Sequence, residues 1–285
     1  FDSSAVPSFY VSQAAKKHLT VILNGDGGDE LFAGYRRYVP FARYDFFKHN
    51  PLVKNTASLL HKVLPVSHNK KNKYNYLFRL VDLARKSNLN IYLASTTDIF
   101  EGFEKYLDCD KKYLDPIKED FNTMNLSGLS GLQKMMNLDF DNILSGVLLV
   151  KMDIATMANS LEGRSPLLCK EILEYAPGLR DTFKIKGVQT KYLLRKLAAR
   201  YLPPELINQP KRGFEPPMKR WVNNELRPMI GDYINSSSAY FPSFADRNFI
   251  INLFDGKIRA PAEKRAKMLW LIFALEVWYQ KVYKK

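Results

Sequence analysis

One stretch constrains this chain more than any other: Val21-Ile-Leu-Asn-Gly-Asp-Gly-Gly-Asp-Glu-Leu-Phe-Ala-Gly-Tyr35. It opens as a short apolar run, then packs three glycines and three carboxylates into residues 25–30, then turns apolar again from Leu31. That order predicts a buried strand ending in a tight glycine loop that opens a helix. Glycine lets backbone N–H groups approach a phosphate closely, and a helix N-terminus adds a positive dipole end. Carboxylates in such a loop repel phosphate unless a Mg2+ ion lies between them. Composition alone does not separate this reading from an ordinary turn carrying solvated acids.

The bulk properties narrow the class. With 285 residues, 46% of them hydrophobic, the chain can bury a substantial core. No run approaches the roughly 18 consecutive apolar residues of a membrane span. Phe1-Asp-Ser-Ser is neither a start methionine nor a signal peptide, so the chain reads as part of a longer protein. Two cysteines, Cys109 and Cys169, give neither a disulfide framework nor a zinc spacing, and the four histidines are scattered. A cytoplasmic location is the expectation. The net charge of +14 fits a nucleic-acid binder, a site for polyanionic small molecules, or a solubilising surface. The absence of any recognisable nucleic-acid module argues against the first.

Along the chain, residues 1–18 read as a helix with Asp2, Ser3 and Ser4 as caps and Val6, Tyr10 and Ala14 as its apolar stripe. A strand follows at 20–24. Beyond Tyr38 the pattern is helical, broken by Pro40, Pro51 and Pro65. Residues 68–74 read as a basic loop, 76–86 as a helix, and 111–126 carry little pattern. Residues 129–160 predict a pair of helices with Leu132, Met135, Met136, Leu138, Leu144, Val147, Leu148 and Met152 as core. An amphipathic basic helix is expected over 190–200, through Tyr192, Leu193, Leu194, Leu197 and Ala198. A Pro/Gly loop should follow at 209–217, with helices over 226–234, 247–254 and 264–282, the last carrying Trp270 and Trp278.

The central stretch closely resembles the second nucleotide-site motif of the asparagine synthetase family. Three further segments resemble that family in the same order: residues 148–168, with Lys151-x-Asp153 and Glu162-x-Arg164-x-Pro166; Thr190-Lys-Tyr-Leu-Leu-Arg195; and Pro210-Lys-Arg-Gly-Phe-Glu-Pro-Pro217. Together they cover about residues 1–225. Asp2-Ser3-Ser4 is not the end of the family's pyrophosphate loop, because no strand precedes it. The resemblance therefore implies that this loop and the N-terminal glutaminase domain are both missing. It implies an α/β fold, an adenine-nucleotide-hydrolase-like, Rossmann-like sheet. This chain would hold a partial domain: residues 1–38 as a remnant of the α/β core, and 39–285 as a mostly α-helical body.

What the resemblance implies chemically is ATP-dependent amide synthesis. Aspartate attacks the α-phosphate of ATP to give β-aspartyl-AMP and pyrophosphate, and ammonia from glutamine then displaces AMP. Positioning and charge neutralisation carry most of such a reaction. By position in the motifs, Asn24, Gly25 and Gly27 are expected to contact ATP. Asp26 stands where the family has a carboxylate important for adenylation, often glutamate and one methylene longer. Asp29 is the expected Mg2+ ligand or, alternatively, a helix cap. Lys191 is expected to neutralise phosphate charge. Glu162 either assists ammonia attack or merely pairs with Arg164, and Lys211 either touches pyrophosphate or fixes its loop. Asp153 and Arg164 read as buried ion-pair partners.

Two departures bear on the acceptor: Ile154 replaces a usual arginine, and Cys169 replaces the aspartate that usually ends the Glu-x-Arg motif. They leave open a ligase that amidates another carboxylate, on a sugar or a secondary metabolite. A basic helical nucleic-acid-binding protein is the alternative of another class. The fragment alone is expected to be inactive, and a homodimer is one assembly open to the whole protein.

Overall fold

Serines recur at positions 4, 8 and 12, one per helical turn, and this small polar face is the one that the first helix buries. In a computed structural model of the chain, the helix Ala5–Lys16 packs along the helix Leu149–Met157 with Ser8 and Ser12 almost wholly enclosed. Links at the far end of the pair include Lys16 Nζ, which donates to the Ser160 carbonyl at 2.7 Å, and Asn159 Nδ2, which donates to the Phe9 carbonyl at 3.3 Å. The expected stripe is corrected here. Tyr10 is 62% exposed and Ala14 is exposed, because the close approach of two helix backbones admits serine and not tyrosine. Ser4 stands at the N-cap position without a side-chain cap, and Asp2 holds it in place, accepting from the Ser4 amide at 2.9 Å and the Ser4 hydroxyl at 2.6 Å.

The structure describes residues 2–43, 51–64, 74, 78, 81, 84, 92, 93, 96, 99, 100, 102–108, 115–126, 128–207, 209 and 216–284. Most of the expected 68–74 loop, most of the 76–86 helix, and Lys211 lie outside them. The chain divides into two units, 2–95 with 114–214, and 96–113 with 215–285.

In the larger unit the strand β1, Val21–Leu23, pairs in parallel with β2, Glu162–Arg164, setting Val21 opposite Glu162, Ile22 opposite Gly163 and Leu23 opposite Arg164. Asn24 N–H to the Arg164 carbonyl, 2.8 Å, and Glu162 N–H to the Thr20 carbonyl, 2.9 Å, extend the ladder at both ends. This is the only sheet among the described residues. The strand lies where the sequence places it, but it is not buried: Leu23 is 72% exposed, since a two-stranded ribbon leaves much of its surface uncovered. β2 escapes the sequence because Glu-Gly-Arg has no β-branched or aromatic residue. Only its partner strand makes it extended.

Residues 131–157 form one unbroken helical path instead of two helices. It begins at Gly131–Asp139, capped by a reciprocal Ser130–Gln133 box. It then widens into a π-helix, Phe140–Leu148, and continues as Leu149–Met157. Leu132, Met135, Met136 and Leu138 are buried in a cluster with Tyr38, Phe41, Phe121 and Ile185, and Leu144 is buried as well. Val147, Leu148 and Met152 are only half-buried. Residues 115–126, unpatterned in sequence, are the helix Asp115–Leu126. The basic helix is shorter than expected, Tyr192–Ala198, with Leu193 and Leu194 packed inward and Leu197 exposed.

The smaller unit is built from the helices Met218–Asn223, Arg227–Asn235, Arg247–Phe254 and Ala262–Trp278. Ile230, Phe249, Ile250, Leu253, Met268 and Ile272 form its interior. Glu276 is fully buried there, and its carboxylate accepts the Phe241 amide at 2.5 Å. Trp270 is buried, whereas Trp278 is 47% exposed.

The serine face gives the first test. Ser12→Leu should cost about 1–3 kcal/mol in urea unfolding through overpacking, whereas Tyr10→Ser should stay within about 0.5 kcal/mol of the parent.

Candidate functional site

The loop after β1 is shaped by what glycine permits. Gly27 adopts a left-handed φ of 83° at the start of the single-turn helix Gly28–Leu31, and a Cβ there would fall 2.2 Å from Leu168 Cδ2. A larger residue is excluded on both counts. Asn24 ties the loop to the chain beyond β2: its Oδ1 accepts the Asp26 amide at 3.2 Å and the Ser165 hydroxyl at 2.6 Å.

Asp29 meets Lys191, with 3.0 Å between Oδ1 and Nζ and both side chains less than a third exposed. Lys191 itself has a left-handed φ of 53°, rare for a residue with a side chain, immediately before the helix Tyr192–Ala198. The pair runs past Gly34 so closely that a Cβ on that residue would lie 1.7 Å from Asp29 Oδ1 and 2.3 Å from Lys191 Cε. Gly28 is the other close neighbour, its Cβ position 3.4 Å from Lys191 Nζ. Gly27 stands at the N-cap position of the single-turn helix, and Asp29 lies inside its first turn. Arg195, one turn beyond Lys191, serves the backbone: it donates to the carbonyls of Thr190 at 3.1 Å and Ile207 at 2.5 Å.

The remaining acids around the loop hold their protons more tightly than usual. Burial pushes the Asp26 carboxyl up, the Lys151 charge draws it down, and Asp29 pushes it up again. Asp26 Oδ2 is buried with no hydrogen-bond partner among the described residues. Burial likewise raises Glu30, which accepts from the Tyr35 hydroxyl at 2.5 Å. Tyr35 in turn is pushed far above its ordinary range by burial and by the Glu30 charge. Lys151 is a functional candidate that residue order did not single out, although it stands in one of the family-like segments. Its ammonium donates to Asp2 Oδ2 at 3.2 Å and to Ser4 Oγ at 3.0 Å.

Beside the loop opens a cleft of about 900 Å3 whose walls include Asn24, Asp26, Met152, Asp153, Thr156 and Glu162. The structure thus brings Asn24, Asp26 and Glu162 to one cavity. Glu162 pairs with Arg164, Nε to Oε1 2.7 Å, and both are more than half exposed. The expected buried Asp153–Arg164 pair is therefore corrected: Asp153 is exposed, and Arg164 turns to its neighbour on the short strand. Ile154 is 63% exposed and Cys169 is exposed. No group of three or more His, Cys, Asp or Glu side chains gathers as a metal cage among the described residues. Mg2+ needs fewer, since it commonly binds through one or two carboxylates plus nucleotide phosphates. The acidic loop suits that mode.

Comparison with known proteins identifies the family. The family model for asparagine synthase matches residues 1–280, and the chain belongs to that family. It is similar to asparagine synthetase [glutamine-hydrolyzing] 1 of Bacillus subtilis, 29% identical over 98% of this chain and 43% of that protein. A putative asparagine synthetase [glutamine-hydrolyzing] of Mycobacterium tuberculosis is 28% identical over 98% of this chain and 42% of its own length. A third relative, putative asparagine synthetase [glutamine-hydrolyzing] 2 of Methanocaldococcus jannaschii, is 46% identical over 18% of this chain and 10% of its own length. The chain spans less than half the length of the first two relatives, 43% and 42%. No solved structure matches it.

Two outcomes are expected at this site. Gly34→Ala, at a backbone conformation open to alanine, should force Asp29 and Lys191 apart and cost about 1–3 kcal/mol in chemical denaturation. Glu30→Gln tests the buried acid. Its folded pKa lies above its unfolded one, so wild-type stability is lost as pH rises through that window, where the buried carboxyl must ionise. The variant should therefore melt above wild type at pH 8, with the difference shrinking toward pH 4, where the acid is neutral.

Proposed function

We propose that this chain carries the synthetase part of an ATP-dependent amide ligase that converts aspartate, ATP and ammonia to asparagine, AMP and pyrophosphate. The observation that carries the reading is the Asp29–Lys191 pair threaded between Gly28 and Gly34, in the family's nucleotide-site motif. The enclosing fold in this reading is the Rossmann-like nucleotide-hydrolase sheet, of which β1 and β2 are a part. The nitrogen comes from glutamine through a glutaminase domain elsewhere in the whole protein.

The chemistry follows from charge. A carboxylate is a poor acylating agent, so its oxygen attacks the α-phosphorus of ATP and pyrophosphate leaves, giving the acyl-AMP. The Lys191 ammonium meets the negative charge that moves onto the departing phosphates. Asn24, Gly25 and Gly27 hold the nucleotide through backbone and amide groups, and Asp26 orients the acceptor for adenylation. Asp29 would hold Mg2+ together with phosphate oxygens, and the ion would supply further charge neutralisation on the leaving group. In the second half-reaction ammonia attacks the acyl carbon, the C–O bond to AMP breaks, and the nitrogen's surplus proton passes to a base. Glu162, on the rim of the same cleft and held by Arg164, is the assigned base.

A second reading keeps the adenylation and changes the acceptor. The exposed Ile154, where the family usually has arginine, favours a carboxylate other than that of aspartate.

The test is pyrophosphate release by the full-length protein supplied with ATP, Mg2+, ammonium and aspartate. Lys191→Met should lower the rate by about 100- to 1,000-fold, and Asp29→Asn should lower it with a raised Mg2+ requirement. Release without dependence on aspartate would select the second reading, and no release with any carboxylate would refute both.

A further inference from the structure

One buried charge cluster takes no part in the proposed chemistry. Asp139 is fully buried at the end of the helix Gly131–Asp139. Arg37 Nη2 donates to its Oδ2 at 2.6 Å, and the Tyr38 hydroxyl donates to the same oxygen. Tyr92, beside it, donates to the Leu138 carbonyl at 3.3 Å. A carboxylate this deep is held only by its partners, and removing one leaves a buried charge uncompensated.

The cluster is continuous with the site on both sides. Toward the acidic loop, the Arg37 guanidinium lies 4.7 Å over the Tyr35 ring, and Tyr35 donates to Glu30, the neighbour of Asp29. In the other direction the chain passes from Asp139 directly into the π-helix Phe140–Leu148. Such i→i+5 turns are rare, occur mostly as single-turn bulges, and are frequent at functional sites. Here they run for nine residues. Each wider turn rotates the helix beyond it, so the residue at which the π segment begins decides which face of Leu149–Met157 meets the cleft. That face carries Met152, Asp153 and Thr156. The Thr156 carbonyl also accepts the Leu161 amide at 3.0 Å, which leads the chain into β2.

We infer that Asp139, clamped by Arg37 and Tyr38, is a positioning residue that couples the acidic loop to the helical wall of the cleft. It fixes where the α-helix yields to the π-helix, and so the placement of Asp153, Thr156 and the strand bearing Glu162. In the ligase reading this sets the acceptor wall against the nucleotide loop, but the coupling itself rests on packing and not on that reaction.

Hydrogen exchange read by mass spectrometry on the 285-residue chain tests it without any assay of activity. In Asp139→Asn and in the milder Tyr38→Phe, amides of 149–157 and 161–164 should exchange at least about tenfold faster, while Ala262–Trp278 keeps its protection. Arg37→Lys, which retains the charge, should restore part of the protection lost in Arg37→Met. Changes confined to 36–43 and 131–143, or an equal loss throughout the chain in Tyr38→Phe, would overturn the inference. Selective exchange in this chain, together with no pyrophosphate release by the full-length protein with any carboxylate, would refute the ligase and leave the coupling standing.

Discussion

The ion pair between Asp29 and Lys191 is possible only because position 34 has no side chain. Its two members lie 162 residues apart in the chain and touch across a space that one methyl group would fill. Everything that defines the site is arranged around that contact. The left-handed turn at Gly27 aims the single-turn helix, the strained backbone at Lys191 aims the lysine, and Asn24 fastens the end of β1 to the segment after β2. A residue with a side chain held at positive φ is strain that surrounding structure must sustain. Here the sustaining structure is the cluster of Leu31, Phe32, Ala176 and Leu179, against which Leu167, Leu168, Leu193 and Leu194 pack.

Charge is distributed unevenly about this loop. In a chain of net charge +14, the loop gathers Asp26, Asp29 and Glu30, and the cleft beside it adds Asp153 and Glu162. The lysines that answer these acids are few and individually placed: Lys191 on Asp29, and Lys151 anchored to Asp2 and Ser4 with its field reaching Asp26. Carboxylates with raised proton affinity and a specific charge partner beside a cleft are candidates for a functional site. Asp139 is buried more deeply still, with Oδ2 held by Arg37 and Tyr38, and its task is structural.

The family, the order of its motifs and the position of the strand at Val21–Leu23 could be read from residue order, because glycine spacing and a short apolar run are local signals. The core positions Leu132 to Leu138 were also legible, since their period follows from helix geometry. Other readings failed for one shared reason, that the neighbour was not visible. Tyr10 and Ala14 make an apolar stripe in sequence, yet the partner helix admits only serine. Asp153 and Arg164 look complementary, yet Arg164 reaches Glu162 first, two residues away on the same strand. The exposed face of β1 and the polar strand β2 invert what propensity suggests.

Residue order sets out the chemistry on offer: a glycine-rich acidic loop after a strand, a lysine leading into a basic helix, and a carboxylate in a Glu-x-Arg segment. These are local properties of composition and spacing. Which of them meet follows from the folded chain. It joined Lys191 to Asp29, brought the Lys151 ammonium to Asp2 and Ser4 just ahead of the first helix, and ran Leu149–Met157 out of a π-helix so that Asp153 and Thr156 line one cleft with Asn24 and Asp26. Those pairings depend on backbone phase and on the volume left free at Gly27 and Gly34, quantities set by contacts distant in the chain.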